Sequence, residues 1–114
     1  MNRIVVTGGR NYDDWAMVQE VLNRFAPKEV YVGDCPTGVD KMVAEWCDHR
    51  KVNYKIFVAN WNKLGKKAGP MRNAEMCRSA GSEATVIAFP GNKGTNDCVR
   101  TAVSYNMIVM RVEP

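Results

Sequence analysis

The chain has 114 residues, of which 46% are hydrophobic and 25% charged, with a net charge of +4. That is enough for one core and too little for two, and the balance excludes a disordered or fibrous chain. The mild basic surplus accommodates anionic small molecules or nucleic acid without requiring either, and no apolar run reaches the length of a signal peptide or membrane span.

The expected organisation is therefore a single cytoplasmic domain over residues 1–114 with no membrane partner. The cysteines, Cys35, Cys47, Cys77 and Cys98, show neither a C-x-x-C pair nor zinc-ligand spacing, so reduced thiols are expected and no metal site.

From the amino terminus, Arg3–Thr7 is a β-branched run that predicts a strand, followed by the turn Thr7-Gly8-Gly9-Arg10-Asn11. A helix is predicted from about Asp13 to Phe25, with Trp15, Val18, Leu22 and Phe25 on one face, Asp13 or Asp14 as its cap and Pro27 as its stop. Glu29–Val32 reads as the second strand, and the polar turn Gly33-Asp34-Cys35-Pro36-Thr37-Gly38 follows it. The second helix should place Val39, Met42, Val43 and Trp46 inward, with Thr37 and Asp40 spaced as a capping box.

The third strand, Tyr54–Val58, leads into a long basic loop from Asn60 to Asn73 that carries Lys63, Lys66, Lys67 and Arg72. A third helix opens at Gly69-Pro70, with Met71, Ala74, Cys77 and Ala80 expected inward. Strand Ala84–Phe89 runs into the glycine-rich turn Pro90-Gly91-Asn92-Lys93-Gly94-Thr95. A helix from near Thr95 to near Asn106 and a last strand, Met107–Val112, complete the chain.

Strict alternation of strand and helix predicts an α/β fold, a three-layer α/β/α sandwich around a doubly wound five-stranded parallel sheet of Rossmann-like type. In such a fold the loops after the strands gather on one rim, where ligands bind. The glycine-rich turn before a helix offers backbone N–H groups and the positive end of a helix dipole to a phosphate. The candidate binding residues are Thr7, Gly8, Gly9, Arg10, Gly33, Asp34, Arg72, Asn73, Pro90, Gly91, Asn92, Lys93, Gly94 and Thr95.

Arg72 suits a phosphate or carboxylate clamp, and Trp61 suits stacking on a base or ribose. Asp34, Asp40 and Asp97 are rim carboxylates able to take ribose hydroxyls, hold Mg²⁺ or act as a general base, with helix capping as the competing role for Asp40 and Asp97. Cys35 and Cys98 are expected near each other on the rim, and the only histidine, His49, away from it. Neither G-x-G-x-x-G after the first strand nor G-x-x-x-x-G-K-[ST] is present, which argues against a standard NAD dehydrogenase or P-loop NTPase.

Taken in order, Thr7–Arg10, Gly33–Asp40, Ala68–Met76 and Phe89–Thr95 resemble the small YspA-like branch of the SLOG superfamily. That superfamily also includes the Lonely Guy phosphoribohydrolases, the DNA-processing protein Smf and nucleotide-sensing domains of bacterial defence proteins. The resemblance implies a nucleotide or nucleotide-derived ligand and a homodimer or larger homo-oligomer. In the phosphoribohydrolases, the arginine of R-K-x-x-M and the glutamate of P-G-G-x-G-T-x-x-E carry N-glycosidic cleavage.

Here Arg72 and Met76 match the first pattern, whereas Asn92 and Cys98 replace the second glycine and the glutamate. The reading is a binding or sensing domain for a nucleotide. The alternatives are an N-glycosidic hydrolase, with Arg72 and Asp97 (or Asp34) as candidate catalytic groups, and single-stranded nucleic-acid binding through Lys63, Lys66, Lys67, Arg72 and Trp61.

Overall fold

The computed structural model describes residues 2–114. Five strands, β1 (Arg3–Thr7), β2 (Glu29–Gly33), β3 (Asn53–Phe57), β4 (Thr85–Ala88) and β5 (Ile108–Arg111), form one sheet in the order β3-β2-β1-β4-β5. Every pairing is parallel. The doubly wound α/β fold expected from the sequence is present.

Alternation along β1 divides the core into two layers, because successive side chains in a strand point to opposite faces. Ile4 and Val6 face one side with Val30, Val32, Ile87 and Phe89, under the helices α1 (Trp15–Phe25) and α2 (Gly38–Arg50). Val5 faces the other with Tyr31 and Val86, where residues of α4 (Ala68–Ala80) and α5 (Lys93–Ser104) pack. The central positions Ile4, Val5, Val6, Val86 and Ile87 are fully buried, while Ile56, Ile108 and Met110 on the two edge strands stay largely exposed.

The chain steps outward from β1 to β2 and β3, then returns to the other side of β1 to lay down β4 and β5. The order therefore reverses between β1 and β4, the place where the following loops part and open sheets form their binding crevice.

Local signals explain most element ends. The Asp14 carboxylate accepts a hydrogen bond from Met17 N at 3.0 Å and starts α1. The C-caps Ala26 and Lys51 and the last turn at Asn106 all take positive φ.

Three expectations need correction. The Asn60–Asn73 stretch is not a loop: Asn60 caps a short helix, α3 (Trp61–Leu64), and a 3₁₀ turn, Gly65–Lys67, leads directly into α4. On α4, Cys77 and Ala80 face inward as expected, joined by Ala68, Gly69, Asn73 and Met76, whereas Met71 is exposed and Ala74 half-buried. Thr37 and Asp40 make no capping box, since the Thr37 hydroxyl donates to Arg10 O at 2.8 Å and Asp40 Oδ2 accepts from Cys35 N at 3.1 Å. Smaller offsets also occur: α5 starts at Lys93, two residues before the expected point.

Leu22 is fully buried between α1 and the sheet, far along the chain from every rim loop. Leu22→Ala is expected to cost about 2–5 kcal/mol through lost burial and the cavity left behind. Urea unfolding would measure it, as a lower midpoint with an unchanged slope.

Candidate functional site

The β1 loop is tied to both of its neighbours at the rim. Gly9 N donates to Pro90 O at 2.9 Å, Val39 N donates to Gly9 O at 3.2 Å, and the Thr37 hydroxyl holds Arg10 O. Gly38 closes this junction at a φ of 69°, and a side chain there would collide with Gly9 O and the Arg10 backbone. These bonds fix the loops before any ligand arrives.

Between them opens a cleft of about 520 Å³ lined by Val6, Thr7, Gly8, Arg10, Gly33, Cys35, Asp40, Trp61, Arg72, Asn73, Met76, Asn92, Lys93, Gly94 and Thr95. The structure thus brings together Thr7, Gly8, Arg10, Gly33, Arg72, Asn73, Asn92, Lys93, Gly94 and Thr95 of the predicted residues. Gly9 and Pro90 serve the junction between loops, Gly91 packs over the Thr95 side chain, and Asp34 and Asp97 stand behind the lining.

One wall is a hydrogen-bonded chain of side chains. Arg72 donates from Nη1 to Asp34 Oδ1 at 2.9 Å and to Phe57 O at 3.3 Å, and from Nε to Asn73 Oδ1 at 2.9 Å. Asn73, only 4% exposed, passes the chain on from Nδ2 to Asp97 Oδ2 at 3.0 Å and Gly94 O at 3.3 Å. Asp34 and Asp97 therefore orient Arg72 and Asn73. Arg72 Nη2 has no protein partner among the described residues, and Arg72 is part of the cleft lining.

This hydrogen-bonded chain leads to the start of α5, which Asn73 reaches at Gly94 O. Asn92 provides no side-chain cap, and the first internal bond there is Asn96 N to Asn92 O. The N–H groups of Lys93, Gly94 and Thr95 are the orphan donors that any helix start leaves. Open space lies over Gly94. Arg10 and Lys93 form no ion pair among the described residues, so the cleft presents cations and backbone donors together.

Asp40 is the carboxylate of the cleft, which sequence reasoning placed on the rim but did not select for the site. Its pKa is pushed up to about 6 by burial, against the lowering effects of the Cys35 N–H bond and Arg72. Glycine at position 33 makes this packing feasible, since a Cβ would lie 2.5 Å from Arg72 Nη1 and 2.8 Å from Asp40 Oδ2. The available signal was a strand end, G-D-C-P-T-G-V-D, in which a polar residue follows a turn onto the first turn of a helix.

Cys98 is not on the rim. It is fully buried in the α4/α5 layer, and its partner is the Cys77 thiol rather than Cys35; that hydrogen bond and burial raise its pKa and keep it protonated. His49, in the last turn of α2, lines neither the cleft nor its neighbouring hollow. Among the described residues no group of three His, Cys, Asp or Glu side chains gathers to hold a metal, and no helix is long and apolar enough to cross a membrane. Of the rim carboxylates, Asp34 is ion-paired with Arg72 and Asp97 is bonded to Asn73.

Asp40 sets a pH dependence of stability. Its pKa is raised in the folded state, so the folded protein binds more protons than the unfolded chain between the ordinary value of 3.8 and about 6. The penalty is absent below that window, grows through it and is complete above it, so stability falls as pH rises. Asp40→Asn should flatten the profile from pH 4 to 6 and add on the order of 2–3 kcal/mol at pH 7. Chemical denaturation across that range would check both the direction and the window.

The sequence matches the YspA, cpYpsA-related SLOG family over residues 2–64. It is also 33% identical over 113 residues to the Gene 61 protein of Mycobacterium phage D29, covering 90% of this chain and 89% of that relative. A match over more than half of the chain, on a doubly wound parallel sheet with its cleft at the reversal between β1 and β4, places this protein in the YspA, cpYpsA-related SLOG family.

Proposed function

We propose that the cleft binds a nucleotide or nucleotide-derived phosphorylated ligand and that the protein acts as a binding or sensing domain. The observation that carries this reading is the open start of α5 facing Arg72. Uncapped N–H groups, the helix dipole and a guanidinium with an unused Nη2 converge where a phosphate would sit. Arg10 and Lys93 add unpaired positive charge at the mouth.

The sugar belongs near Asp40 and Asn73. Asp40 accepts one backbone N–H, and a carboxylate oxygen lining the cleft is a natural acceptor for vicinal hydroxyls. The base then lies toward Thr7–Arg10 or Trp61, the remaining lining on either side.

Binding is favoured over hydrolysis by what stands at the position of the family's catalytic glutamate. Cys98 there is buried and protonated, and its neighbour Asp97 is directed to Asn73 and Arg100. One observation supports a second reading, hydrolysis of the N-glycosidic bond. Asp40 faces the cleft with a pKa near the range in which a carboxyl group can donate a proton to a leaving base and then accept one from water.

Thermal shift and calorimetry against 5′-nucleoside mono-, di- and triphosphates test the first reading. Arg72→Ala should weaken a binding nucleotide by about 10- to 100-fold, the loss of a charge-assisted hydrogen bond of roughly 1.5–3 kcal/mol. Absence of binding across the panel would contradict it. Chromatography of the bound nucleotide after incubation tests the second: free base released by the wild type and not by Asp40→Asn would establish hydrolysis, and an intact nucleotide would exclude it.

A further inference from the structure

Beyond the first cleft lies a second hollow of about 600 Å³ that shares Trp61, Arg72, Asn73, Lys93 and Gly94 with it. Its own lining includes Lys66, Gly69, Pro70, Asn96, Asp97 and Arg100. The two therefore adjoin at the starts of α4 and α5, where Asn73 and Gly94, both in the shared lining, are hydrogen-bonded to each other.

The shared residues are those of the proposed phosphate position, so a phosphate there faces both hollows. Trp61, which lines both hollows, is 54% exposed and yet held in place. Its backbone N–H donates to Ala59 O at 3.1 Å, its short helix is capped by Asn60, and its ring lies so close to Gly69 that a Cβ there would come within 3.1 Å of the indole. An exposed aromatic ring fixed by packing is a platform for a base, because stacking then costs little ordering. The Asp97 carboxylate disfavours a terminal phosphate in the second hollow, whereas Lys66 and Arg100 at its edge offer N–H donors to sugar hydroxyls and to the acceptor atoms of a base.

Resting on the reading of the first cleft, we propose that the ligand contains two nucleoside units joined through phosphate. One unit occupies the first cleft, the linking phosphate lies at the shared residues beside Arg72 and Lys93, and the second base stacks on Trp61 in the second hollow.

Isothermal titration calorimetry tests this with 5′-nucleoside monophosphates, the matching 5′-phosphorylated diribonucleotides and the pyrophosphate-linked dinucleotides. At least one two-nucleoside probe should bind about tenfold or more tightly than its own mononucleotide, the effect of one stacked base. Lys66→Ala and Arg100→Ala, at exposed positions that line only the second hollow, should remove most of that gain and leave mononucleotide affinity within about twofold.

Mononucleotide binding without a gain for any two-nucleoside probe would overturn this proposal alone. So would a gain that survives both substitutions, or affinity that keeps climbing to octanucleotides, which would indicate strand binding instead. No binding of any probe would overturn the reading of the first cleft as well. The better of the two linkages identifies the chemistry of the bridge.

Discussion

The guanidinium of Arg72 is the point about which the rim is organised. It rests against the backbone of Gly33, is anchored to Asp34 and the carbonyl of Phe57, and holds Asn73 through Nε. Its side chain is only 15% exposed, so the ion pair with Asp34 is shielded from bulk water and is stronger than a surface pair would be. One carboxylate orients the arginine without covering all of its donors. The consequence is a cation held in one geometry with hydrogen-bonding capacity to spare, as anion recognition requires.

That geometry depends on topology. The reversal between β1 and β4 parts the two following loops, and the Gly9–Pro90 hydrogen bond keeps them from parting further. On one side α2 starts under Gly9 and presents Asp40; on the other α5 starts with unused N–H groups. Asp40 and Arg72 meet beside Gly33, and the α5 donors line the same preorganised cleft, which limits the ordering that binding would require. Asp40 is the element whose presence costs stability near neutral pH, and buried groups of that kind concentrate at functional sites.

Much of the fold was legible because its signals are local and redundant. The β-branched runs at Arg3–Thr7 and Thr85–Ala88 and the 3.6-residue spacing of Val18 and Leu22 each fix an element type, and their alternation fixes a parallel sheet. Four rim segments were legible for the same reason. What escaped depended on tertiary geometry. Asp40 looked like a capping residue until the turn brought the Cys35 N–H onto it, and Asp34 looked free until Arg72, 38 residues away, paired with it. On α4 the expected inward Cys77 and Ala80 were right and Met71 was not, and the two glycines, proline and three lysines before it disguised a continuous run through α3 and the 3₁₀ turn. Cys98 was expected on the rim near Cys35, yet its place on α5 puts it in the core beside Cys77.

The central claim is that an anionic nucleotide sits between the start of α5 and Arg72. Its most direct test is a ¹⁵N-resolved NMR titration with the nucleotide that gives the largest thermal shift. The account predicts that the largest perturbations fall on the backbone amides of Lys93, Gly94 and Thr95 and on the Arg72 side-chain Nε–H, with smaller ones at Gly8–Arg10. Perturbations centred on the exposed edge strands β3 or β5, with the α5 amides unmoved, would contradict it.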